Sequence, residues 1–377
     1  ESGEVAWLLN GGTAEGELAW YQNLTENADV YPVLDSSHGR VYCGYATCES
    51  LQLSYINNPL PTSLGHNYDA DGFCANCGSG HPATHGSDGF YEIANAGQLY
   101  WFAEQVNNGE TTINGRLTAD IVVNTNVLNA NGNLNGEGEG FRTWTPIGKD
   151  EDGKRFDGIF DGQGYTISGL YINDRKKSVV GLFSATGANS VIMNVGVVDS
   201  YFCAYQHAAG ICGSNGGTVE NCFNAATCIV SNQGVGGVVS WNGGAISNCH
   251  NVGKIIGYFH GAICANNTNG TTTNCYYLEG TCDKGVYSTA NNVTEILMMT
   301  TDQFEIGEVA WLLNDSEAGE SPVWRQTIGE DDYPVLDTKQ GIVVKTTTES
   351  LNSIVRPTAG TLVGATAVYN FAGIQGT

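Results

Sequence analysis

Basic side chains are scarce in this 377-residue chain: 15 Lys and Arg stand against 39 Asp and Glu, a formal net charge of −24. That imbalance argues against nucleic acid and against anionic membrane surfaces as partners. No run approaches the roughly 18 apolar residues of a membrane-spanning helix, so no membrane insertion is expected. No secretory signal peptide is present, and the abrupt start at Glu1-Ser2-Gly3 reads as a processed or excised fragment. The chain also lacks His-Glu-X-X-His, the signature of a zinc-peptidase centre. The Gly-X-Ser-X-Gly nucleophile elbow is missing, as is any phosphate-binding loop. Glycine is plentiful, at 51 residues, but without the Gly-X-Y period of collagen. Turn-rich β structure accounts for it.

What is present is a repeat. Residues 210–222 (GICGSNGGTVENC) align without a gap on residues 237–249 (GVVSWNGGAISNC), a step of 27. A weaker copy runs from Gly181-Leu182-Phe183-Ser184 to Asn194-Val195. Another runs from Ala262-Ile263-Cys264-Ala265 to Asn274-Cys275. A fixed period of this length signals a solenoid. Each copy holds short strand-like runs cut by Gly and Asn and is too small to bury a core alone, so the copies must stack. There is no leucine ladder and no helical pattern inside the period. The expectation is an all-β, right-handed parallel β-helix with three short strands per coil, short capping helices and a small Cys/His-rich insert. Six or seven coils from Gly115 to about Gly285, about 4.8 Å apart, would make a stiff rod about 30 Å long.

In such a stack Val195, Cys222, Cys249 and Cys275 form one ladder, and Phe183, Cys212, Val239 and Cys264 another. Shared with Val and Phe, these cysteines read first as small buried hydrophobes; disulfides between coils and metal ligation are the alternatives. Asn194, Asn221, Asn248 and Asn274 precede the first ladder and read as structural turn residues.

A second repeat flanks the first. Gly3–Asn10 (GEVAWLLN) recurs as Gly307–Asn314, Trp20 answers Trp324, and Tyr31–Asp35 (YPVLD) recurs as Tyr333–Asp337. Thr300 and Gln303 fit a capping box opening the helix before the later copy. Solenoids need closed ends. Residues 1–42 are therefore expected to be a helix-plus-hairpin cap of a preceding solenoid. Residues 43–86 form a small Cys/His-rich module, and 87–285 the β-helix, whose N-terminal end is plugged by a helix capped at Asn95 and carrying Leu99, Phe102, Ala103 and Val106. Residues 286–345 form the C-terminal cap, and 346–377 start a further strand-rich domain. Residues 129–140 and 149–154 are expected as loops.

Four residues make the strongest chemical constellation: Cys48, His66, Cys74 and Cys77. A Cys-X-X-Cys knuckle closed by Gly78 presents two thiolates to one ion, and a further Cys and His complete a tetrahedral zinc site. Cys43, His81 and His85 are alternative ligands. Disulfides Cys43–Cys48 and Cys74–Cys77, or free thiols, are the other readings. Asp157 and Asp161 invite a glycosidase reading, since paired carboxylates perform acid–base work on sugars. Both precede glycine, where Asp commonly accepts backbone N–H bonds in a turn, so a structural role is expected. Lys149, Arg155, Arg175, Lys176 and Lys177 could gather near the same coils, or be a solvated loop. Asp150-Glu151-Asp152-Gly153 is a weak calcium candidate lacking the remaining EF-hand positions. Trp241, His250, Tyr258, Phe259, His260, Tyr276 and Tyr277 fall on late coils. If outward they could stack on sugar rings or a partner's surface; if inward they are core.

Residues 144–148 (WTPIG), residues 156–172 (FDGIFDGQGYTISGLYI) and the Gly-Leu-Phe and Asn-Cys repeats resemble the GLUG-repeat β-helices. The resemblance covers roughly residues 89–285. Segments similar to Trp-Leu-Leu-Asn and residues 67–78 (NYDADGFCANCG) occur beside such repeats. Residues 366–377, with Val368-Tyr369-Asn370, resemble the opening of a C-terminal sorting domain of secreted Bacteroidetes proteins. These repeats occur in large secreted and surface-anchored proteins of gut and oral bacteria, including adhesins and the non-catalytic parts of IgA-specific metallopeptidases. The resemblance implies the fold and an extracellular, cell-surface or secreted setting. It carries over no catalytic motif and no known ligand. The favoured expectation is a non-catalytic adhesin or spacer module that meets a host or bacterial glycan or surface protein. A polysaccharide lyase or hydrolase using Asp157 and Asp161, and a filament subunit with head-to-tail self-association, are the competing expectations.

Overall fold

The computed structural model describes residues 2–25, 28–46, 51–57, 66–150, 153–289, 292–315, 322–346 and 366–370. They fall into two compact units, Glu1–His81 and Pro82–Thr377.

The first unit opens with α1 (Glu4–Leu9). Gly3 precedes it at φ 85°, a left-handed conformation that favours glycine. The Asn10 side chain clamps the Trp20 backbone, with Nδ2 donating to its carbonyl at 2.7 Å and Oδ1 accepting its N–H at 3.0 Å. Tyr21 and Val33 then pair antiparallel. Strand Tyr42–Ala46 pairs antiparallel with Leu51–Ile56.

The second unit is a parallel β-solenoid of about seven turns. α2 (Ala96–Asn108) sits at its start. Asn95 caps it by accepting the Gln98 N–H at 2.9 Å, and Gly109 ends it at φ 124°. Leu99, Phe102, Ala103 and Val106 are buried as their spacing predicts. The Phe102 ring packs on Phe156 and Phe160 in the first coils.

The expected ladders stack in register. Phe183, Cys212, Val239 and Cys264 pair successively between parallel strands. Val195, Cys222, Cys249 and Cys275 are fully buried, and the Cys222 N–H points at the Cys249 sulfur at 3.4 Å. A third inward row runs Phe160, Ile192, Val219, Ile246, Thr272. These cysteines are thiols, without disulfides between coils. Burial pushes the Cys212 and Cys264 thiols up to about 12, which keeps them neutral and inert. Asn194, Asn221, Asn248 and Asn274 sit at φ 56°, 50°, 52° and 47°. Asparagine tolerates this left-handed turn better than other side chains that carry a Cβ.

Two features depart from expectation. A middle coil holds four strand runs rather than three: Thr218–Glu220, Phe223–Val230, Gly234–Gly236 and Val239–Asn242. Glycines make the extra corner possible, since a Cβ on Gly236 would overlap the Val239 carbonyl and one on Gly237 the Ala262 carbonyl. The coil interior also contains buried amide ladders. Asn215 Nδ2 donates to Asn242 Oδ1 at 2.8 Å, and Asn242 Nδ2 to Asn267 Oδ1 at 2.7 Å. Asn224 donates likewise to Asn251 at 2.8 Å. Each amide also bonds backbone at its corner, so these polar groups are satisfied where water is excluded.

α3 (Thr301–Glu305), α4 (Glu308–Leu313) and the hairpin joining Arg325 to Val335 pack along one flank of the coils. The Thr300–Gln303 capping box is formed. Phe304, Val309, Leu313, Trp324 and Leu336 pack with Phe223, Tyr276 and Met299 of the solenoid flank. Beyond this cap, Ile342–Thr346 pairs parallel with Thr366–Asn370. The other residues of the expected strand-rich segment lie outside the described ones.

Candidate metal centre

In the first unit the chain doubles back twice within fifteen residues. Tyr68 bridges Cys74 and Phe73 bridges Gly80. Gly72 and Gly78, at φ 83° and 76°, turn the two corners. The Gly78 N–H bonds the Cys74 carbonyl at 2.7 Å and closes the knuckle. This fold brings His66, Cys74 and Cys77 together, with ligand atoms all within 4.8 Å of one another. His66 Nδ1 lies 3.6 Å from Cys77 Sγ, and Ser79 Oγ lies 3.0 Å from the same sulfur. Burial opposes ionisation of Cys74. The backbone N–H groups of Asn67, Asn76 and Cys77, with the His66 ring, outweigh it and hold the thiol down at about 5. Hydrogen bonding to Cys74 raises His66 in turn. A knuckle that stabilises thiolate before any ion arrives suits a soft divalent metal such as zinc. Cys74 and Cys77 are thiols rather than a disulfide. Cys48 and the side chain of Cys43 lie outside the described residues. His81 packs edge-on against Tyr68, and His85, in the second unit, against Tyr91.

The carboxylates of the glycosidase reading are occupied by turns. Asp157 accepts both the backbone N–H and the side-chain amide of Asn189 at 2.9 Å. Asp161 accepts the Gln163 N–H at 2.9 Å and Asn194 Nδ2 at 3.0 Å. Among the described residues, neither lines either of two clefts in the second unit. One cleft, about 700 Å³, runs between residues 128–132, the solenoid flank and the cap, and is edged by Asp199, Glu305 and Asp332. The other, about 600 Å³, gathers Lys149, Lys176 and Lys177 beside Asp150 and His207. Arg155 pairs instead with Asp150, and Arg175 bonds Ser231 at 2.7 Å. Of the weak calcium sequence, Asp150 therefore faces a cation of the protein's own, and Glu151 and Asp152 lie outside the described residues.

The late-coil aromatics divide. Tyr258 is 78% exposed and stacks edge-on with Phe259, which meets Tyr287. Trp241 is half-buried. His260 bonds Asp283 at 2.6 Å, and Cys282 completes a second donor trio with them. That trio was not singled out from the sequence, because Cys282 and Asp283 lie 22 and 23 residues beyond His260 and carry no motif. His250, Tyr276 and Tyr277 are buried and present nothing to a ligand. Tyr277 pairs with Asn251 of the amide row, and for His250 and Tyr276 the reason is register together with the cap. Phe223, His250 and Tyr276 each follow an inward cysteine, so they point out of the coil, and the cap covers that flank.

Among the described residues no helix is long and apolar enough to cross a membrane. No protein-family model matches the chain. A protein of Evansella cellulosilytica named "Putative Gly-rich membrane protein" is 32% identical over 81 residues, 21% of this chain. That stretch spans 9% of the relative's own length. A crystal structure from Bacteroides ovatus, described as a "putative immunoglobulin A1 protease", is similar over 67% of this chain and 94% of its own, at 15% identity and TM-score 0.43. An overlap at that score does not separate a shared fold from shared strand content, and the solenoid assignment stands on its strand register.

Proposed function

We propose that the chain is a non-catalytic β-solenoid module of a secreted or surface-borne bacterial protein, acting as a stiff spacer or adhesin segment. The observation carrying this reading is the interior. Uninterrupted apolar and amide ladders run from coil to coil, and the two suspect carboxylates are spent on turns. Catalysis needs convergent groups left free for substrate, and Asp157 and Asp161 are not such groups. The aromatic patch of exposed Tyr258 and Phe259, backed by half-buried Tyr287, is the surface suited to a sugar ring or a partner's apolar face. A glycan array probed with the full chain tests this. Binding that falls at least tenfold on Tyr258→Ala supports the patch. Turnover of a polysaccharide, lost on Asp157→Asn, would sink the non-catalytic reading.

The knuckle is read as a structural zinc staple for a segment too small to hold together by its own core. Metal analysis of the purified chain should find zinc, lost on Cys74→Ser. A fully folded, metal-free protein that gains no stability on adding zinc would refute it.

A further inference from the structure

Both copies of the helix-plus-hairpin repeat build the same scaffold. Asn10 clamps Trp20 as Asn314 clamps Trp324, with bonds of 2.7 and 3.0 Å against 2.8 and 3.0 Å. Gln22 Nε2 reaches the Asp29 carbonyl as Gln326 Nε2 reaches that of Asp331, each at 3.0 Å. Ala6 and Ala310 are both fully buried, so the internal side of each module is filled. The outer faces differ in cover. Val309, Leu313 and Leu336 are 0%, 2% and 4% exposed beneath the solenoid flank. Their counterparts Val5, Leu9 and Leu34 are 56%, 50% and 69% exposed, and Tyr31, counterpart of Tyr333, is 70% exposed. Exposed apolar residues gathered on one face of such a scaffold mark a binding surface. Its sister copy shows what such a face covers.

We infer that the face made by Val5, Leu9, Tyr31 and Leu34 docks onto the flank of a second parallel β-solenoid, one whose late coils carry an outward aromatic row like Phe223, His250 and Tyr276 and no cap of their own. This chain's own flank is already taken by its tethered cap, so a plain second copy is not the occupant.

The test uses this chain as its own probe. Full-length protein carrying Val309→Asp and Leu313→Asp has a loosened cap and an opened flank. Mixed with wild-type chain in sedimentation or biolayer measurements, it should bind, and wild-type chain carrying Val5→Asp and Leu9→Asp should bind at least tenfold more weakly. Equal binding by the two, or none while the probe keeps its β circular dichroism, overturns the inference. If the probe does not fold, residues 3–35 are exchanged for 307–337 within the full chain. That exchange should keep a melting temperature within a few degrees of wild type, and the same exchange with Leu9→Asp and Leu34→Asp should not. Equal stability of the two exchanged chains overturns the inference as well.

Discussion

His250 is a fully buried titratable group of the second unit. Its ring lies 5.1 Å from Phe223 at an interplanar angle of 9°, and Trp324, Phe304 and Tyr333 close around it. Nε2 sits 2.9 Å from the Pro334 carbonyl and must therefore be the donor. Nδ1 is buried without a partner. Protonation would place a cation there with no acceptor, and burial accordingly pushes the imidazole down to about 3. The unfolded chain protonates near pH 6.5 and the folded one only near 3, so between these values the unfolded state binds more protons. Stability is full above pH 6.5 and declines as pH falls toward 3. At about 1.4 kcal/mol per unit, this one side chain removes about 2 kcal/mol by pH 5. His250→Phe extends the row begun at Phe223. It forfeits the bond to Pro334 and costs about 1–3 kcal/mol at pH 7.5, but it erases the titration. Urea unfolding of both proteins at pH 7.5, 6 and 5 should show their stability gap narrowing by about 2 kcal/mol at the lowest pH. A constant gap would mean that the aromatic box stabilises the imidazolium as well as water does, and the argument from desolvation would fail.

The turn and core ladders give sharper local tests. Asn248 holds φ 52°, so Asn248→Ala should cost about 1 kcal/mol more than Asn248→Gly in thermal or urea unfolding; equal costs would remove the left-handed turn from the account. Asn242→Leu breaks the amide row on both sides and strips the Gly244 N–H of its acceptor. It should destabilise by about 3 kcal/mol despite the added apolar volume, and a neutral result would mean the row is dispensable. With a thiol reagent, Cys282 should react in the native chain, while Cys212, Cys222, Cys249, Cys264 and Cys275 should need denaturant. A count that fails to rise on unfolding would reveal disulfides between coils.

The sequence made the stack legible because a solenoid repeats its environment. A residue 27 positions on meets the same neighbours, so Cys222 and Cys249 announce one another, and Asn221 and Asn248 announce the turn. The fourth strand run was harder to see. Gly234–Gly236 carries almost no side-chain signal, and what defines that corner is the backbone it leaves room for. His250 was hidden for a different reason. Its register, one residue after an inward cysteine, correctly points it out of the coil, and the repeat alone therefore makes it a surface residue. Its burial comes from Trp324 and Phe304, about 50 to 75 residues further along and outside the period. Only the cap decides whether an outward row is solvent-facing or core. The same logic applies in reverse to Val5, Leu9 and Leu34. Their apolar spacing matches that of their buried counterparts, so sequence gives both modules the same face, and only the presence of a covering coil tells which face is satisfied.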